Sequence, residues 1–192
     1  MAKIRSFLAV ELPKEIIGKL GGVQDDLKPS GPYVKWVRPE SIHLTLKFFG
    51  NIEEKIIDNI SLVVKGVTSN TNVFNLEVID IGVFPNMSRP KVIWVGVKFS
   101  DGTLDILQKE VGAGLEKIGF EHEGREFNPH LTLGRVKSLK EKRRLVEQIE
   151  RFEGCELGSF KVEYLSLLKS DLRPTGAVYT KLRTFPLKTV TK

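Results

Sequence analysis

Apolar positions along this chain switch between two periods, and the switches mark its elements. IRSFLAVEL (4–12) is an apolar-rich strand. After Pro13 the period becomes helical. Ile16, Ile17, Leu20, Val23 and Leu27 share one side of KEIIGKLGGVQDDL, although Gly21 and Gly22 weaken that helix. KPSGP (28–32) is loop, YVKWV (33–37) alternates as a short strand, and IHLTLKFFG (42–50) is a strong one. Asn51, with Glu54 three residues on, is placed to cap a helix over 51–66. Strands over 74–84 and 91–99 flank the turn PNMSRP (85–90). A helix capped by Asp101 runs to Ile118, and 121–129 is loop. A strand over 130–138, a charged helix over 139–152 that buries Leu145, Val146 and Ile149, and strands over 160–172 and 177–187 complete the series.

The order strand, helix, HLTL strand, helix, strand occurs once before residue 84 and again from Lys91 to Leu168. The tetrad HLTL itself stands at 43–46 and at 130–133, and the interval from His43 to Phe74 nearly matches that from His130 to Phe160. This is the pattern of an internal duplication. It implies an α+β fold, one bilobal domain over 1–192 built from two similar lobes related by a pseudo-twofold. No Ser- or Gly-rich linker separates the halves, so they are expected to share an interface.

Alternation along a strand sends His43 and Thr45 to one face and Leu44 and Leu46 to the other. The same holds for His130 and Thr132 against Leu131 and Leu133. Packing under helices explains the leucines. A single strand histidine is usually structural, but packing does not oblige two of only three histidines to recur opposite the leucines. Across a pseudo-twofold they would meet over one cleft. Near neutral pH one imidazole can be neutral and the other protonated, the requirement for taking a proton from a nucleophile and giving one to a leaving oxygen. The threonine hydroxyls can donate to a phosphoryl oxygen, and an arginine fork would neutralise phosphate charge. The arrangement suits attack on a strained ribose cyclic phosphate and needs no metal or cofactor.

Lys47 counts onto the His43 face and could add charge there. Arg135 counts onto the leucine face, so reaching a phosphate takes a bulge or strand end at Gly134, or a reach around from the edge. His122, between Glu121 and Glu123, reads as a surface residue. Tyr33, Trp36, Phe48 and Phe84 could stack on a base, but each reads first as core. The basic residues of 139–152 read as a solvated helix face, and Arg89 as a turn residue.

A formal net charge of +6, from thirty Lys and Arg against twenty-four Asp and Glu, favours anionic partners such as RNA or phosphorylated nucleotides. The lone Cys155 forms no internal disulfide and fits a reducing compartment. No apolar run reaches the length of a membrane span. The expectation is a cytoplasmic monomer without membrane contact. GxGxxG, GxxxxGK[ST] and GxSxG are missing, and three scattered histidines with one cysteine make no zinc pattern.

The chain resembles the two-histidine (2H) phosphoesterase superfamily, defined by paired His-x-Thr-x motifs, and within it the RNA 2′,3′-cyclic phosphodiesterases, also called 2′-5′ RNA ligases. The matching text is RSFLAVELP, VKWVRPESIHLTLKFFG, IDIGVFPNMSRPKVIWVGV, FNPHLTLGRVK and LLKSDLRPTGAVYTKLRTFPL, nearly end to end. The resemblance implies antiparallel sheets lining a central cleft with helices outside. It implies hydrolysis of a 2′,3′-cyclic phosphate, on an RNA end or a small nucleotide, to a 2′-phosphate. His130 would be the base that activates water, His43 the acid for the 3′ oxygen, Thr45 and Thr132 the phosphate holders and Arg135 a phosphate contact. Some members join tRNA halves in vitro by a 2′-5′ bond, so ATP-independent ligation is also implied. The alternatives are a module that only captures RNA ends, or an enzyme whose substrate is an ADP-ribose cyclic phosphate or a 2′-5′ oligonucleotide.

Overall fold

A computed structural model describes residues 3–31, 33–124, 126–174 and 176–189. In chain order the strands are β1 (Lys3–Glu11), β2 (Val34–Trp36), β3 (His43–Glu53), β4 (Phe74–Phe84), β5 (Val92–Lys98), β6 (His130–Val136), β7 (Glu156–Val162), β8 (Tyr164–Arg173) and β9 (Gly176–Pro186). The helices are α1 (Lys14–Leu27), α2 (Ile57–Thr68), α3 (Thr103–Glu116) and α4 (Lys142–Glu150). The strands form one antiparallel sheet in the order β7-β4-β5-β6-β3-β1-β8-β9, with β2 pairing to β6 beyond the end of β3.

The sheet order reads symmetrically outward from the β6–β3 junction: β5 with β1, β4 with β8, β7 with β9. The counterpart of β4 is therefore β8, not the β7 strand implied by matching Phe74 to Phe160. Each repeat lends its last strand to the other half. The first repeat's α1 likewise packs on β7, and the second repeat's α3 packs on β3. The duplicated halves are interlocked.

Alternation and helical period set what lies between sheet and helices. Leu44, Leu46, Leu131, Leu133, Ile93 and Val95 meet Ile16, Leu20, Ile60, Val64, Leu107 and Leu145 in one continuous core. Burying side chains of this size is worth roughly 1.5–3 kcal/mol each before the cost of ordering the chain. Gly21 and Gly22 do not break α1, because its buried face at Ile16, Leu20, Val23 and Leu27 is intact. Asn51 does not cap a helix. It stays in β3 opposite Arg5 of β1, and helix begins only at Ile57 after a short 3₁₀ turn. Asp101 does not cap α3 either: the N-cap is Gly102, without a side-chain cap bond, and Asp101 Oδ1 accepts from the Thr103 amide at 3.0 Å in the turn just before it. Among the described residues, no helix is long and apolar enough to cross a membrane.

Candidate active site

β3 and β6 share a ladder at one point, Leu44 opposite Leu131, and both leucines are buried under the helices. One residue to either side, the antiparallel register sets His43 against Thr132 and Thr45 against His130, all four half-buried on the helix-free face. The histidines are diagonal neighbours there, about 7–8 Å apart in such a ladder, with their Cβ atoms somewhat closer.

Both rings are held alike. His43 Nδ1–H donates to the Ser41 carbonyl at 2.9 Å, and His130 Nδ1–H to the Asn128 carbonyl at 2.7 Å. A carbonyl only accepts, so each bond fixes the proton on Nδ1 and leaves Nε2 for proton transfer. Phe7 stacks on His43 at 4.5 Å and Tyr179 meets it edge-on at 5.1 Å. Phe84 meets His130 edge-on at 5.0 Å and lies 5.1 Å from Trp94. Burial lowers the His43 pKa from its ordinary value, opposed by the Ser41 carbonyl and by the charge of Glu11, which lies opposite His43 in β1. Glu11 in turn accepts from Ser166 Oγ at 2.5 Å and pairs with Lys181 at 2.6 Å.

Both motif strands bulge at the second leucine of HLTL. Against β1, Thr45 pairs with Ala9 and Lys47 with Leu8, leaving Leu46 extra. Against β5, Thr132 pairs with Trp94 and Gly134 with Ile93, leaving Leu133 extra. The bulge inverts the alternation that follows. Arg135 therefore stands opposite Val92, exposed on the histidine face. Lys47 is inverted the other way, which corrects its expected place on the His43 face. It is buried on the helix side, donating to the Glu121 carbonyl at 3.1 Å and pairing with Glu123 at 3.4 Å. Phe48 takes the position equivalent to Arg135 and is 55% exposed rather than core. Tyr33, also read as core, is 69% exposed.

The second bulge is clamped. The Leu133 carbonyl accepts from the Val37 amide at 2.9 Å and from Gln24 Nε2 at 2.9 Å, and Gln24 also donates to the Val37 carbonyl at 2.7 Å. Gln24 reaches there from α1 and is fully buried. At Gly134 an added Cβ would come within 2.7 Å of Val34 Cγ1 and 3.0 Å of the Trp36 ring, so a larger residue would oblige those β2 side chains to shift.

Sequence reading did not find Glu11, Arg5, Arg38, Gln24 or Tyr179. Arg5, Phe7, Ala9 and Glu11 alternate onto one face of β1, a legible signal once the strand's place is known. Burial raises the Tyr179 pKa, opposed by the charges of Arg135, Arg5 and Arg38, and so keeps the phenol a hydrogen-bond donor. A cavity of about 330 Å³ opens beside His130, bounded by Phe84, Trp94, Asp80, Lys98 and Asn128. His122 is exposed, its Nδ1 2.6 Å from Glu116. Among the described residues no group of three or more His, Cys, Asp or Glu is gathered to hold a metal.

The LigT-like phosphoesterase family matches residues 10–94 and 98–179. An RNA 2′,3′-cyclic phosphodiesterase of Methanothermobacter thermautotrophicus is 38% identical over 185 residues, covering 96% of this chain and all of that protein. One from Methanocaldococcus jannaschii is 33% identical, over 94% of this chain and 99% of its own. The crystal structure of TT0787 of Thermus thermophilus superposes with a TM-score of 0.81 at 29% identity, covering 98% of this chain and 100% of that one. Escherichia coli LigT complexed with 3′-AMP has the same fold, with a TM-score of 0.76 at 23% identity over 96% and 98% of the two chains. The chain belongs to the LigT-like phosphoesterase family.

Proposed function

We propose that this LigT-like phosphoesterase hydrolyses 2′,3′-cyclic phosphates, on RNA ends or small nucleotides, to 2′-phosphates by acid–base catalysis between His43 and His130. The observation that carries the reading is the pair of Nδ1–carbonyl bonds, which leave two Nε2 atoms on one face across the Leu44–Leu131 axis. A relative 38% identical over nearly the whole chain is an RNA 2′,3′-cyclic phosphodiesterase, and LigT of E. coli has been crystallised with 3′-AMP.

In this scheme water enters from the cavity beside His130. Nε2 of neutral His130 takes its proton as the water oxygen bonds to phosphorus. The bond from phosphorus to O3′ breaks on the opposite side, and His43 Nε2–H protonates O3′. The phosphate stays on O2′. His130 ends protonated and His43 neutral, and exchange with solvent resets both. Thr45, Thr132 and Arg135 hold the non-bridging oxygens, where charge grows during the reaction. Burial keeps His43 neutral in the free protein at neutral pH. The entering phosphate anion adds to Glu11 in favouring its protonated form, the form the scheme requires of the acid. A 5′-hydroxyl taking the place of water in the same cavity would give a 2′-5′ linkage without ATP.

Adenosine 2′,3′-cyclic phosphate incubated with the protein and a chelator tests the scheme. The expected product is adenosine 2′-phosphate. A 3′-phosphate product would reverse the leaving group, and no product would reject the activity.

A further inference from the structure

We propose that Arg5 and Arg38, together with Tyr179, form a second anion subsite for the phosphate on the 5′ side of the reacting nucleotide. The proposal rests on the cyclic phosphodiesterase reading and names the substrate class within it: polynucleotide ends and 5′-phosphorylated cyclic nucleotides, in preference to cyclic mononucleosides.

The geometry comes from two strands and a connection. Alternation along β1 puts Arg5 on the face that carries Phe7 and Glu11. The Phe7 ring lies 5.1 Å from that of Tyr179, edge to face. Arg38, in the connection between β2 and β3, donates from Nη2 to the Ala177 carbonyl at 2.9 Å. Ala177 and Tyr179 lie on the same face of β9, opposite Leu172 and Ser170. Tyr179 touches the His43 ring, so the group borders the side on which the leaving 3′ oxygen, and with it the ribose, is expected. Burial keeps the phenol a donor, and the charges of Arg135, Arg5 and Arg38 act on it.

Charge balance points to a second phosphate. A cyclic phosphodiester carries one negative charge, which one guanidinium fork can match. Glu11, the carboxylate nearest His43, is already paired with Lys181. Among the described residues Arg5 and Arg135 have no carboxylate within ion-pair distance, and Arg38 has only Glu40 at 4.0 Å. With Arg135 given to the reacting phosphate, two exposed guanidinium groups and a hydroxyl remain beside it. In an RNA end the next anion along the chain is the phosphate on O5′ of the same ribose.

The test is equilibrium binding by titration calorimetry of adenosine 2′,5′-bisphosphate against adenosine 2′-phosphate, in the wild type and in an Arg5→Gln/Arg38→Gln double variant. The wild type should bind the bisphosphate about tenfold or more tightly, as expected for added charge-assisted hydrogen bonds. The double variant should lose most of that advantage. Both side chains are exposed, and a melting curve checks the fold. Equal affinities in the wild type, or an undiminished advantage in the variant, would overturn the subsite. Because binding is read without turnover, a wild type that shows the advantage yet hydrolyses no cyclic phosphate would overturn the phosphodiesterase reading and leave the anion subsite standing.

Discussion

Leu44 and Leu131 face one another where β3 and β6 share their single ladder pair, and the axis that exchanges them also exchanges His43 with His130. The two leucines close the core from above while their neighbours build the site from below. Fold and chemistry thus meet at one point of the sheet.

Truncating either leucine should therefore weaken the whole molecule. Leu44→Ala or Leu131→Ala removes a fully buried side chain at the junction of the interlocked halves. A loss of about 2–5 kcal/mol is expected, read as a fall in the denaturant midpoint. A loss under about 1 kcal/mol would mean that this junction is not the tight centre of the core.

Glu11→Gln distinguishes the roles of the rings. The Glu11 charge favours protonated His43, so its removal lowers the His43 pKa further. If His43 is the acid, the variant is deficient in kcat/KM at neutral pH and approaches wild type on acidification, where His43 is protonated in both proteins. If His43 is the base, the variant matches wild type at neutral pH and exceeds it on acidification. The first pattern is the expected one, measured as the ratio of kcat/KM across roughly pH 5–8.

Gln24→Leu tests whether the clamp on the bulge matters to Arg135. The substitution leaves the Val37 carbonyl unpaired and removes one of two donors to the Leu133 carbonyl, costing about 1–3 kcal/mol. It should also raise KM about tenfold as Arg135 loses its fixed approach to phosphate. Leu20→Ala, a core change on the same helix, should lower the melting temperature without that rise in KM. Equal KM in the two variants would make Gln24 purely structural.

Lys47 and Arg135 show how far the sequence could be read. Strict alternation misplaces both residues, because each motif strand carries an extra residue after HLT. Gly134 signals the second bulge, since a larger residue there would crowd the Val34 and Trp36 side chains of β2. Nothing beside Leu46 signals the first, and the destination of Lys47 depends on Glu121 and Glu123 in a distant loop. The duplication, the leucine core and the shared face of the two motifs were legible because they depend on local period. The exchange of β4 and β8, the longer β3 and the approach of Tyr179 to His43 depend on partners far along the chain, which no local pattern records.

The most direct measurement is single-turnover hydrolysis of adenosine 2′,3′-cyclic phosphate by wild type, His43→Ala, His130→Ala and the double variant, each first shown to be folded. Each single variant should lose about 10²–10⁴ in rate, and the double variant should be little slower than either, as for groups that act as a unit. Turnover within a few-fold of wild type in either single variant would contradict proton transfer between the two imidazoles.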